Sequence, residues 1–453
     1  MKNNESAFNR RQFIGALAAT GAVAAACSGG GTSAKNVDYE LTTLLDKAPD
    51  GQEIIAGVIG CGGRGSGAAK NFLEAGPNVK VVALADVFPD RLNSLKDELK
   101  ELGNTVADEN CFVGFDAFEK LLDLKEINYV ILATPPNFRP PMFKAAVEAK
   151  KNVFMEKPVA VDPVGARSVM ASSKKAKELG LSVVTGTQRR HQHHYVSLYK
   201  QIQSGAIGDL VSANVYWNGG QLWYRDRQRG WSDLEWMIRD WVNWSWLSGD
   251  HIVEQHVHNL DVAYWFMGKH PVSAVGFGSR QRRVTGDQFD NFSIDFSYDD
   301  GRHIHSMCRQ INGCANSVSE SFSGTKGFAR SSSNNAPNQT FLKDKSDSVI
   351  WTYLDAVKEG MPEKPISPYV QEHVDLIWAI RTGNQIVEAE NTATSTLMAI
   401  MGRTSAYTGK EVTWEEMMNS KMTLGPTLDD LSLAKRYTMV KKPVVPIAGV
   451  DKS

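Results

Sequence analysis

An apolar, β-branched run at residues 54–59 opens a stretch of chain that alternates between two periods. Short apolar runs recur at 79–85, 128–133, 152–155 and 181–185. Runs of this length predict strands buried on both faces. Between them, apolar residues at helical spacing predict helices following residue 67, over 91–102, from 118, over 141–149 and over 163–179. Repeated strand–helix units predict a parallel sheet with right-handed crossovers and ligands gathered at the carboxyl ends of its strands. Asp86, Thr134 and Lys157 all fall at such ends.

From residue 186 the pattern changes. Alternating runs at 210–217, 272–277, 292–298 and 303–309 predict half-buried strands. The expected fold class is α/β. A doubly wound parallel sheet spans 53–185, an α+β domain with an open, mostly antiparallel sheet spans 186–425, and 426–453 forms a tail. Some 400 residues are ample for two such domains.

The turn after the first strand carries chemistry. Gly60-Cys61-Gly62-Gly63-Arg64-Gly65 is a G-x-G-x-x-G sequence between a strand and a helix. Gly60 would permit the tight turn, Gly62 would admit a pyrophosphate to the backbone, and Gly65 would let the helix pack on the strand. The helix N-terminus adds a partial positive charge. The second strand ends at Asp86, 21 residues after Gly65. A carboxylate at that place holds the ribose hydroxyls of NAD and repels the 2′-phosphate of NADP.

Composition narrows the partners. With 50 basic and 51 acidic residues the net charge is −1, which gives no electrostatic case for nucleic acid or a membrane surface. At the N-terminus, Arg10-Arg11-Gln12-Phe13 precedes a short, Ala-rich run ending at Ala26-Cys27. This predicts a twin-arginine export signal over 1–27, too short and too Ala-rich to span a membrane. Cys27 offers a lipidation site, and 28–52 is a linker. The expected location is the periplasm, reached in the folded state. Free NAD should be scarce there, so the cofactor is expected to stay bound and to be restored within each cycle. Cys308 and Cys314 are free to pair in that compartment or to remain thiols.

The glycine loop, Asp86, Ala133-Thr134-Pro135-Pro136 and Glu156-Lys157-Pro158 together resemble the glucose–fructose oxidoreductase/inositol dehydrogenase (Gfo/Idh/MocA) family over roughly residues 53–425. The Glu-Lys-Pro element at a strand end is the most specific part of the likeness. The resemblance implies NAD as cofactor and homo-oligomerisation through the C-terminal sheet. It implies that Arg91, Thr134, Pro135, Asn137, Glu156, Lys157 and Gln188 join the glycine loop and Asp86 around the cofactor. It gives Lys157 a place against both nicotinamide and substrate, where an ammonium can relay a proton. Asn137 and Arg139 depart from the histidines that related sequences often carry in that loop.

The resemblance also directs attention to 248–261. On one continuous helix, His251, Glu254, His258 and Asp261 would form a polar stripe beside an apolar stripe of Val253, Val257, Leu260 and Tyr264. Glu254 and His258 fill the places of the family's Asp and His. His258 is thus expected to accept the proton of the reacting hydroxyl, and Glu254 to orient the substrate or the histidine. Neither H-E-x-x-H nor a Cys/His spacing is present, so no metal is expected. Arg189 and Arg190 resemble the family's arginine-bearing crossover into the substrate domain, while the adjoining His191, His193 and His194 read as solvated surface. Seven of the eleven tryptophans fall within 217–246, interleaved with charged residues, which predicts a sugar-stacking wall including Trp223, Tyr224 and Trp241.

The expectation is an NAD-dependent oxidoreductase acting on a secondary hydroxyl of a sugar or glycoside. Two alternatives stay open: an NAD-dependent glycoside hydrolase that oxidises, eliminates, hydrates and reduces back, and a sugar-binding lipoprotein without catalysis.

Overall fold

A computed structural model describes residues 42–332, 339–431 and 444–450. The expected export signal, Cys27 and most of the expected linker and tail lie outside them. Among the described residues no helix is long and apolar enough to cross a membrane.

The first sheet holds six parallel strands: β1 (Ile54–Ile59), β2 (Val79–Asp86), β3 (Cys111–Val113), β4 (Tyr129–Leu132), β5 (Asn152–Met155) and β6 (Val183–Thr185), in the order β3-β2-β1-β4-β5-β6. Strand alternation divides the core. Ile54, Ala56 and Val58 meet Ala68, Phe72 and Leu95 on one face, and Ile59, Ala83 and Val130 meet Phe118, Phe143 and Val147 on the other. Local signals set the helix starts. Pro89 and Pro163 stand in first turns, where a missing N–H costs nothing, and Asp162 caps its helix by accepting from the Gly165 amide at 2.7 Å.

The second sheet has nine strands, β7 (Leu210–Gly219), β8 (Ser273–Ser279), β9 (Asn291–Ser297), β10 (His303–Gln310), β11 (Ser317–Gly324), β12 (Gly327–Ser332), β13 (Phe341–Asp344), β14 (Val349–Thr352) and β15 (Val412–Thr413). Their order is β14-β13-β12-β11-β7-β10-β9-β8-β15, antiparallel except for β7 beside β10. Phe292, Ile294 and Phe296 point from β9 into the core while Ser293 and Asp295 face out. Helices Val257–Met267 and Ala389–Thr408 cover the inner face.

Two features depart from the sequence reading. Helix Pro368–Thr382 returns to the first sheet, placing Val370, Val374 and Ile377 against Ile54, Ala56 and Phe72. Val183 of β6 also bridges to Val387, and its amide donates to Ile386 O. Residues far along the chain thus complete the cofactor domain. The continuous helix expected over 251–264 is broken instead. Helix His251–Glu254 ends, the His256 amide reaches back to His251 O, and a second helix, Val257–Met267, begins on a rotated register.

Candidate active site

The glycine loop leaves β1 with Gly60 at φ +92°, where a side chain would also meet Ala133 and Thr134 backbone at 2.8 Å. A Cβ on Gly65 would lie 1.8 Å from Gly60 O, so only glycine lets this helix start against the strand. The next strand end closes the loop. Asp86 accepts from the Cys61 amide (2.7 Å) and the Phe88 amide (2.8 Å), and burial raises its pKa. Cys61 thus contributes backbone only, its buried thiol pushed up by burial.

A cleft of about 340 Å³ runs from Gly60, Gly62, Gly63 and Arg64 past Asp86 and Arg91 to Thr134 and Pro135. Nothing lies within 4 Å above Gly63, and only the Arg91 guanidinium overhangs Gly62. Bare backbone at a helix N-terminus, a half-buried acid at the second strand end and an overhanging arginine fit a dinucleotide. Asn137 lies in the turn Pro136–Phe138 but does not line this cleft. Gln188 stands in a turn after β6 with its Oε1 buried and unpartnered. Arg64 and Glu156 are bonded to each other, tying the glycine loop to the Glu-Lys-Pro turn.

Lys157 follows β5, before a cis Pro158. Its ammonium donates to Glu254 O and, at 2.9 Å, to Glu254 Oε1. Glu254 therefore holds the lysine; its other oxygen accepts from Gln255. His258 stacks on Trp217 at 5.7 Å with Nδ1 buried and unpartnered. Burial, then the nearby positive charge of Lys157, hold its pKa well below the usual histidine range, so the ring is neutral at working pH. Lys157 of the first domain thus meets Glu254 of the second, and His258 lies close enough to feel the lysine's charge.

Several expected neighbours are elsewhere. The break in the helix splits the polar stripe: His251 turns to Asp250 (3.1 Å) and Phe292, and Asp261 to Arg190. Arg190 makes a bidentate pair with Asp261 at 2.7 and 2.8 Å, is 1% exposed and does not line the dinucleotide cleft, so its guanidinium is spent on Asp261. Arg189 is bonded to Glu320, 2% exposed, and lies 5.6 Å over Trp217, so it lies against the ring on which His258 stacks. His191, His193 and His194 are buried, not solvated. His191 joins Asp375 (2.7 Å) and Glu388 (3.2 Å); although burial opposes it, these acids raise its pKa well above normal. Cys308 is buried, Cys314 exposed, and both are free thiols.

The tryptophan-rich segment is the largest correction. Trp223 and Trp241 line the dinucleotide cleft, not a separate sugar wall, and Tyr224 is 47% exposed. Phe88, Phe115, Phe118 and Phe138 complete that cleft, and only Phe88, two residues beyond Asp86, had a positional signal.

Fold and cleft define a two-domain, dinucleotide-binding protein in which Lys157 of the first domain is bonded to Glu254 of the second. Residues 54–185 match the profile of the oxidoreductase family with an NAD-binding Rossmann fold, and 195–330 match the GFO/IDH/MocA C-terminal domain. The chain belongs to the Gfo/Idh/MocA family. It is 27% identical over 246 residues to a scyllo-inositol 2-dehydrogenase (NAD(+)) of Bacillus subtilis, covering 54% of this chain and 63% of the relative. It is 26% identical over 223 residues to a 2,7-anhydro-N-acetylneuraminate hydratase of Escherichia coli, covering 49% and 52%. The chain thus spans less than two thirds of the length of these relatives. An apo scyllo-inositol dehydrogenase from Lactobacillus casei has the same fold, with a TM-score of 0.60 at 20% identity over 81% of this chain and 99% of that one.

Proposed function

We propose that this protein is an NAD-dependent oxidoreductase acting on a secondary hydroxyl of a sugar, glycoside or cyclic polyol. The observation that carries the reading is the convergence of Lys157, Glu254 and His258 beside the glycine-loop cleft. NAD, when bound, supplies the hydride acceptor; the glycine loop, Asp86, Thr134 and Pro135 would hold it. Two of the three Lys157 N–H donors are taken by Glu254, which leaves one for the substrate oxygen. His258, kept neutral by burial and by the charge of Lys157, takes the hydroxyl proton. Asp86 favours NAD over NADP. The test is to load the purified protein with NAD and add inositols, aldoses and aryl glycosides. A substrate-dependent rise in the reduced-nicotinamide band is expected; no rise with any of them would sink the reading.

A second reading draws on the hydratase relative. The same groups would suit a redox-neutral cycle in which the cofactor is reoxidised before product leaves. Product formation without net NADH separates the two.

The proposal extends to the cell. Arg10-Arg11 and Cys27 support twin-arginine export to the periplasm with a lipid anchor, which fractionation and mass spectrometry of the mature N-terminus test. Exposed Val275, Phe277 and Met307 on the outer face of the second sheet support a homo-oligomer, read by its mass in solution.

A further inference from the structure

The segment between β7 and helix His251–Glu254 belongs to the second domain by sequence but packs on the first. Leu234, Met237, Trp244 and Leu247 share a core with Phe118, Phe138 and Phe143 of the cofactor domain. Arg239, from helix Asp233–Arg239, grips Asp90 with two hydrogen bonds of 2.9 Å and lies 3.8 Å over the Phe88 ring. Asp90 opens the helix directly after the ribose-binding Asp86. The grip is therefore fastened beside the nucleoside end of the cleft.

Ahead of this fastening the chain crosses the cleft without regular structure. Trp223 and Arg225 face into it together with Trp241, and Trp223 meets Trp241 edge-on at 6.3 Å. The Arg225 guanidinium lies 5.4 Å over Trp223. The strap is anchored at Arg225 itself, whose amide donates to Asp240 (2.7 Å) and whose carbonyl accepts from Trp236 Nε1 (2.7 Å). These groups add aromatic faces and a cation to a cleft that the first domain alone leaves open.

We propose that residues 223–241 form a strap over the dinucleotide, with Trp223, Trp241 and Arg225 contacting its adenosine half and the Arg239–Asp90 pair fastening it, so that the cofactor is retained through many turnovers. This rests on the cofactor reading given above. Aromatic faces stack on a purine whatever the oxidation state of the nicotinamide, so oxidised and reduced forms would be held alike. Release then requires the strap to lift.

The test uses the full-length protein loaded with NADH and follows energy transfer from tryptophan to the reduced nicotinamide while excess NAD displaces it. Trp223→Ala, at a 45% exposed position, and Arg239→Gln are each expected to speed release on the order of tenfold. An Asp90→Asn, Arg239→Gln double variant should then be no faster than Arg239→Gln alone. Release at the wild-type rate from both Trp223→Ala and Arg239→Gln, with circular dichroism unchanged, would overturn the strap and leave the cofactor reading standing. Failure of the wild-type protein to take up NADH would overturn both.

Discussion

Lys157 and Glu254, 97 positions apart, form a bond between the cofactor domain and the second domain at the proposed reacting centre. The lysine comes from the end of a parallel strand and the glutamate from a one-turn helix, and both side chains are nearly buried. A buried pair of this kind is costly to halve, because the surviving charge keeps its desolvation.

Glu254→Gln should therefore lower kcat by about tenfold to a hundredfold while leaving the NADH dissociation constant within about twofold. Lys157→Met should cost more, on the order of a thousandfold. Steady-state rates with fluorescence titration of NADH separate the two effects. Equal loss of binding and turnover would remove Glu254 from the reacting centre.

His258→Asn should reduce kcat by about a hundredfold or more with the fold intact. The wild-type ring is neutral well below the usual histidine range, so protonation switches it off only at more acid pH. The rate should thus hold steady as pH falls through about 6.5, the ordinary histidine value. An acid limb centred at that value would contradict the assignment.

Asp86→Asn replaces an acceptor of two backbone amides with a group that is half donor. One of the two amide N–H groups, Cys61 or Phe88, is left facing an NH₂. The expected cost is about 1–3 kcal/mol of stability and a large drop in NAD affinity, measured by urea unfolding and NADH titration. Unchanged values in both would show that the loop does not depend on this carboxylate.

Acid should destabilise the protein from near neutrality downward. Burial pushes His194 down to about 4 and His256 to about 3. The unfolded chain protonates both near about 6.5, so below that value it binds more protons than the folded state. Stability is full above that value and falls as pH drops toward the folded values, by roughly a few kcal/mol per histidine. His191 acts in the other sense: its stabilisation is present at low pH and is lost only as pH rises through its raised folded value. Urea midpoints at about pH 7.5 and about pH 5 test the balance, and equal midpoints would contradict it.

The strand ends, the glycine loop, Asp86 and Lys157 were legible because each follows from local pattern and parallel-sheet topology. The break at Gln255 was not, since 251–264 has helical spacing throughout and the bulge is set by what each half packs on: His251 on Phe292, His258 on Trp217. The tryptophans were legible as a wall but not as to which cleft they wall. That depends on Arg239 meeting Asp90, a contact across 149 positions. The partners of Arg189 and Arg190, Glu320 and Asp261, lie 131 and 71 positions away, so no local pattern revealed that both arginines are spent in buried pairs.

Helix Pro368–Thr382 and the Val183–Val387 bridge have a consequence for modular exchange within the family. Because late residues roof the nucleotide fold, the two halves are not separable as consecutive segments of the chain. A chimera that grafts another member's substrate half at residue 186 would strip Tyr129 of its bond to His373 (2.7 Å) and expose the Phe72 face. Recombination that keeps this protein active must carry the returning helix along with the nucleotide half.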